Sequence, residues 1–371
     1  MRHAWGIHLP NGNMDLGRWI DLIGNGCYTL LSDQGNVLRD LRSRAPEALI
    51  LVRMYVRNWT LNSPEGWAAN CLEFYLANKQ YTKHLTWANE QNLSAESDGS
   101  IGVPDNPCDV YMYRAIADWN ERFIAYFRNH GGADAILHYP AFATGHSDDQ
   151  NDNGFIGLAE CARGINQCEI LDRHFYPRLE KPVSDQWLGA ARVRLTEALF
   201  PDKPLFISEF ANFRITDSNT PQHLVDCGYY WQGDSHVLGW TGFIADDPTG
   251  AHQDNCWSKN QTLLDRYKNT TRTEKPEQGY VPILPPAPPP TGWDIGAGFK
   301  KCVPILGEPK ENEFYHFKDL PELKVSVAVF EDGYATWNPQ TNETVAYKKS
   351  DASIWRDGGN NPVAGGNMVQ V

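Results

Sequence analysis

The 371-residue chain has no apolar run near the ~20 residues that a membrane helix needs, so no membrane insertion is expected. Its 8 cysteines form no C-x-x-C pair and no other zinc spacing. Scattered along a chain of this length, they fit buried thiols as well as disulfides. No glycine-rich phosphate turn follows the first strand-like run, where the residues are Pro10-Asn-Gly-Asn13. No His-x-His stands there either, because His8 is followed by Leu9 and Pro10, which argues against a metal-dependent barrel hydrolase. Positive charge is scarce: 33 Lys and Arg face 46 Asp and Glu, a net charge of −13. Such a surface repels nucleic acid but not a neutral polymer. No signal peptide precedes the first run at Trp5, so a soluble protein is expected. Its location stays open, with extracellular or cell-surface action requiring a processed N-terminus or another export route. Oligomeric state is not legible.

What the chain does have is aromatic residues, 12% of the total with 13 Trp and 16 Tyr. Most belong in a core, but flat rings also stack on the apolar faces of sugars. The stronger signal is an alternation of β-rich runs with helical stretches. The runs are 4–10, 27–31, 49–56, 84–89, 135–139, 169–176, 204–209 and 237–244. Helices are expected near 14–23, 37–44, 64–77, 113–128, 155–163, 187–199, 221–231 and 263–269. On the fourth, Ile116, Trp119, Phe123 and Phe127 share a face. Eight βα units in one pass predict a (β/α)8 TIM barrel. An open doubly wound sheet is the alternative, and the missing phosphate turn counts against it.

The barrel is assigned to residues 1–278. A stiff, extended linker is assigned to 279–291, which carries Pro282, Pro285, Pro286, Pro288, Pro289 and Pro290. A small β module is assigned to 292–371. In it the alternating run 325–330, the turn Glu331-Asp-Gly333 and the run 334–337 predict a hairpin.

Barrel enzymes carry their chemistry at the C-terminal ends of the strands. Two glutamates stand there. Glu90 ends the fourth run in Trp87-Ala-Asn-Glu-Gln-Asn92, and Glu209 ends the seventh in Phe206-Ile-Ser-Glu-Phe-Ala211. Singly, each reads as a loop or capping residue. Together, on strands that face each other across the mouth, they suit the acid/base and nucleophile of a retaining glycosidase.

Asn89-Glu90 on strand four with Glu209 on strand seven resembles clan A, the "4/7" clan of retaining glycoside hydrolases. Asn92 falls where the clan's Asn-Glu-Pro-Asn variants place a second Asn, and His174-Phe-Tyr176 resembles its His-x-Tyr. By this resemblance Glu90 is the acid/base, Glu209 the nucleophile, Asn89 the partner of the sugar 2-hydroxyl, and Tyr176 a hydrogen-bond donor to the nucleophile. Trp240 resembles the clan's sugar-platform tryptophan, and Trp59 is a candidate subsite residue. Gln91 replaces the usual Pro and Ala88 a frequent Gly. The clan's arginine is expected on strand two, whereas the candidate here, Arg53, lies on the third run.

One further motif runs from Asp149 to Glu160 and fits D-x-[DN]-x-[DN]-G-x5-E. Asp149, Asn151 and Asn153, the Phe155 carbonyl and Glu160 would hold a structural calcium. The plain alternative is a polar loop capping the next helix. No cofactor is expected for catalysis. The reading is a hydrolase acting on an oligo- or polysaccharide, weighed against a non-catalytic carbohydrate-binding barrel. Sugar, linkage and endo or exo action are not legible, although the long loops after strands four and five suit an endo-acting cleft.

Overall fold

The structure is a computed structural model. It describes residues 2–10, 15–32, 34–97, 110–143, 154–186, 188–211, 219–247, 250 and 252–275, and five strands between 326 and 369.

Eight parallel strands close into a barrel in sequence order. They are β1 (Gly6–Leu9), β2 (Cys27–Leu31), β3 (Leu49–Arg53), β4 (His84–Thr86), β5 (Ile136–Tyr139), β6 (Ile170–Phe175), β7 (Leu205–Phe210) and β8 (Val237–Gly242). Closure is made by Ile7 of β1 against Gly242 of β8. The open-sheet alternative is thereby excluded. Between and after the strands come α1 (Leu16–Ile23), α2 (Gly35–Arg44), α3 (Pro64–Asn78), α4 (Val110–Phe127), α5 (Gly154–Glu160), α6 (Ala162–Asn166), α7 (Val193–Leu199), α8 (Thr220–Gln232) and α9 (Gln261–Lys268). Helix α3 starts where the sequence marks it: Ser63 accepts the Gly66 amide at 3.1 Å and Pro64 fills the first turn. The stretch expected as one helix over 155–163 is two, broken at Cys161.

Alternation along the strands sorts the side chains. One set faces the helices and builds the main core. Here Trp87 stacks on Phe123 of α4 with ring centres 4.7 Å apart, and Ile116, Trp119 and Phe127 complete the expected face. The other set fills the barrel. Cys27, Leu49, Leu51, Ile170 and Phe206 form a small apolar cluster. Further along the same strands the interior turns polar: Thr29, Arg53, Asp172 and His174 follow at two-residue steps and are all buried. The six described cysteines, Cys27, Cys71, Cys161, Cys168, Cys227 and Cys256, are buried free thiols.

The second body is a five-stranded antiparallel sheet, ordered β13-β12-β11-β10-β9. Its strands are β9 (Ser326–Phe330), β10 (Gly333–Asn338), β11 (Glu343–Lys348), β12 (Ile354–Asp357) and β13 (Asn367–Val369). β9 and β10 pair as the predicted hairpin, Phe330 opposite Gly333. The linker 279–291 lies outside the described residues. Among those described, no helix is long and apolar enough to cross a membrane.

Candidate active site

The strands bring Arg53, Glu90, His174 and Glu209 to one mouth. Arg53 is the last residue of β3, Glu90 lies just past β4, and His174 and Glu209 stand near the ends of β6 and β7. His174 and Glu209 are register partners, and the ladder slips between Arg173 and His174, immediately before them. It slips again between Ile207 and Phe210 toward β8. Such irregularities re-aim side chains at a barrel rim.

Glu90 sits on a fastened loop. The Trp59 indole donates to the Gln91 carbonyl at 3.0 Å, and Asn120 Nδ2 donates to Gln91 Oε1 at 2.9 Å. The Ala143 amide donates to Asn92 Oδ1 at 2.9 Å. Glu90 itself has φ 35°, a left-handed conformation that is costly for a residue with a Cβ.

One network joins the two glutamates. Arg53 forms a buried ion pair with Glu209 Oε1 and places Nη2 3.2 Å from Ser208 Oγ and 3.1 Å from His174 Nε2. His174 Nδ1 lies 2.7 Å from Glu90 Oε1 and 3.5 Å from Glu209 Oε2. The Tyr176 hydroxyl donates to Glu209 Oε2 at 2.5 Å. Burial works to raise the Glu209 carboxyl, but its neighbours His174 and Arg53 and the Tyr176 hydrogen bond outweigh it and hold the group at about 2. Burial, with Arg53 beside it, lowers His8 to about 3, so its imidazole is neutral in this mouth. An ionised carboxylate therefore lies buried next to a second carboxyl group, with neutral and cationic donors around it.

The structure gathers Arg53, Glu90, His174, Tyr176 and Glu209 as the sequence suggested, with Arg53 on β3. Asn89 is adjacent and half-buried, its Nδ2 donating to Glu96 Oε1 at 3.2 Å. Two expectations are corrected. Trp240 is wholly buried and faces the helices, its ring 4.7 Å from Trp5 and 6.0 Å from Trp231, so it has no face to offer a sugar. Trp59 is 2% exposed and lies edge-on to Trp119; it fastens the Glu90 loop and lines no subsite.

Of the calcium motif, Asp149, Asn151 and Asn153 lie outside the described residues, as does the Phe155 side chain. Glu160 ends α5, where Oε2 accepts from Arg114 Nε at 3.2 Å and Oε1 is buried without a partner among the described residues. Ser208 and Glu96 were missed. A serine one residue before Glu209 carries no period of its own, and Glu96 sits in a polar loop with nothing to distinguish it.

No protein-family model and no curated protein matches the chain. Solved structures do. A GH128 (subgroup II) endo-beta-1,3-glucanase from Pseudomonas viridiflava is 13% identical, covering 74% of this chain and 100% of that one, with a TM-score of 0.49. Another of that subgroup, from Sorangium cellulosum, is 16% identical over 74% and 99%, with a TM-score of 0.47. A GH128 (subgroup III) curdlan-specific exo-beta-1,3-glucanase from Blastomyces gilchristii is 14% identical over 72% and 98%, with a TM-score of 0.44.

Proposed function

We propose that this protein is a retaining glycoside hydrolase that cleaves β-glycosidic bonds within a polysaccharide, with Glu90 as acid/base and Glu209 as nucleophile. One observation carries the reading. A carboxylate oxygen of Glu90 and one of Glu209 lie within 4.8 Å of each other, with His174 between them. Retaining enzymes need the two carboxyl groups about 5–5.5 Å apart, while inverting enzymes need about 6.5–9.5 Å to admit a water.

In this mechanism Glu209 Oε attacks the anomeric carbon while Glu90 gives its proton to the departing oxygen. The bond between anomeric carbon and leaving oxygen breaks, and an ester to Glu209 forms. Glu90, now ionised, takes a proton from water, and the water oxygen displaces Glu209. The low-lying Glu209 carboxyl supplies the ionised form that the first step needs. Arg53 and Tyr176 hold its two oxygens, so that one lone pair can be presented to the sugar. Asn89 is placed to receive the 2-hydroxyl.

The test is a panel of β-linked polysaccharides and oligosaccharides, laminari-oligosaccharides included, with the first-formed anomer read by NMR. Release of the β-anomer supports the reading. Release of the α-anomer first rules out retention, and binding without hydrolysis across the panel leaves a carbohydrate-binding barrel.

A further inference from the structure

At the end of the barrel away from the mouth, three side chains converge where α7 meets the turn into β8. Glu197 lies on α7, and Asp234 and His236 lie between α8 and β8. One imidazole nitrogen and one oxygen from each carboxyl group all lie within 4.8 Å of one another. The Asp234 side chain is 1% exposed and that of Glu197 9%.

The hydrogen bonds decide what each atom has left to offer. His236 Nε2 lies 3.1 Å from the Pro201 carbonyl, which can only accept, so Nε2 carries a hydrogen. In the neutral ring Nδ1 then holds a bare lone pair. Two carboxylate oxygens lie beside it, Glu197 Oε1 at 3.4 Å and Asp234 Oδ1 at 3.6 Å. Nδ1 and Glu197 Oε1 are buried, and neither has a hydrogen-bond partner among the described residues. A proton on Nδ1 would draw one carboxylate to the ~2.7–2.9 Å of a charged hydrogen bond, and neither oxygen is that close.

Arg194 does not fill this gap. Its guanidinium takes the other two oxygens, Glu197 Oε2 at 2.9 Å and Asp234 Oδ2 at 3.2 Å. Asp234 Oδ1 accepts the His236 amide at 2.9 Å, which aims the carboxylate across the turn and leaves a second lone pair free. The separations around Nδ1 suit a metal instead. Zinc bonds of about 2.0–2.2 Å in a tetrahedron put neighbouring donor atoms about 3.3–3.6 Å apart. A ring N–H given to a backbone carbonyl is also how metal-binding imidazoles are commonly oriented.

We propose that Glu197, Asp234 and His236 form a zinc site at the base of the barrel. Glu197 Oε1, Asp234 Oδ1 and His236 Nδ1 are the ligands, and water takes the fourth position beside the partly exposed His236. One imidazole with two carboxylates suits a borderline ion better than calcium, which takes about six to eight oxygens. The ion ties α7 to the turn before β8 and owes nothing to Glu90 or Glu209.

The test uses the full chain, stripped with chelator and dialysed. Zinc is titrated by calorimetry into wild type, Glu197→Gln, His236→Gln and Glu209→Gln, the last because Glu90, His174 and Glu209 also converge at the mouth. Wild type and Glu209→Gln should bind one zinc per chain, and Glu197→Gln and His236→Gln should each raise Kd about 100-fold. Zinc at about a hundredfold above Kd should raise the wild-type Tm by about 5 °C. X-ray absorption of the wild-type complex, which needs no variant to fold, should show one imidazole nitrogen and two carboxylate oxygens at about 2.0–2.2 Å. Absence of binding, unaltered affinity in either Glu197→Gln or His236→Gln, or a spectrum without imidazole overturns the site. Affinity lost only in Glu209→Gln places the zinc at the mouth and overturns it equally.

Discussion

Arg53 sets the tautomer of His174. A guanidinium can only donate, so His174 Nε2, 3.1 Å from Arg53 Nη2, must be the acceptor. The ring hydrogen is then on Nδ1, facing Glu90 Oε1 at 2.7 Å. One buried cation thereby pairs with Glu209 and fixes which way the hydrogen bond between His174 and Glu90 runs.

Replacing Arg53 with Lys keeps the charge but not the fork. An ammonium cannot meet Glu209, His174 and Ser208 in the same geometry. We expect kcat to fall on the order of 100-fold with modest loss of stability. Arg53→Ala should also lose about 3–5 kcal/mol of stability, because Glu209 is left buried without its partner. Steady-state kinetics with denaturant melts checks both. Equal kcat in the Arg53→Lys variant and the wild type would show that charge alone suffices.

The pH dependence has a definite sign. Glu209 is held at about 2 against an ordinary 4.5. Its ionisation therefore adds stability that is complete above about pH 4.5 and fades as pH falls toward 2. Glu209→Gln should flatten the dependence of Tm on pH across that window. Tyr176→Phe removes one hydrogen bond that lowers the carboxyl, so the acid limb of kcat/KM should move upward. Parallel acid melting of wild type and Glu209→Gln would contradict this.

Trp59→Phe removes the indole donor to Gln91 from a ring that is 2% exposed. A lost hydrogen bond of about 1 kcal/mol loosens the Glu90 loop, so kcat should drop about fivefold while KM holds for short and long substrates alike. A rise in KM confined to long substrates would return Trp59 to a subsite.

The motif 149–160 has its own test. Calcium added to chelator-treated protein should raise Tm, and Glu160→Gln should remove the gain. An absence of both binding heat and Tm change would leave Glu160 as the partner of Arg114 alone. Hydrolysis itself should survive chelation.

The barrel was legible because its signal is periodic. Apolar runs on strands and stripes such as Ile116, Trp119, Phe123 and Phe127 report burial directly. The pair Glu90 and Glu209 was legible because a carboxylate ending an apolar run has few structural reasons to be there. Trp240 was misread because outward and inward strand positions look alike when both are buried; only the inward contact of its neighbour Thr241 with Thr29 shows that the ring points out. Trp59 was misread for the opposite reason, an apparent loop residue whose indole is spent on a backbone carbonyl. Glu96 left no trace because its hydrogen bond with Asn89 is set by a turn, not by spacing.

The left-handed backbone at Glu90 places activity and durability in opposition. Glycine would adopt φ 35° without steric cost, and relief of about 1 kcal/mol or more is expected from it. A search for heat-resistant variants that ignores catalysis would therefore be drawn to position 90 and would discard the side chain proposed as the proton donor. The fold tolerates this residue rather than favouring it, which is the mark of a side chain retained for what it does.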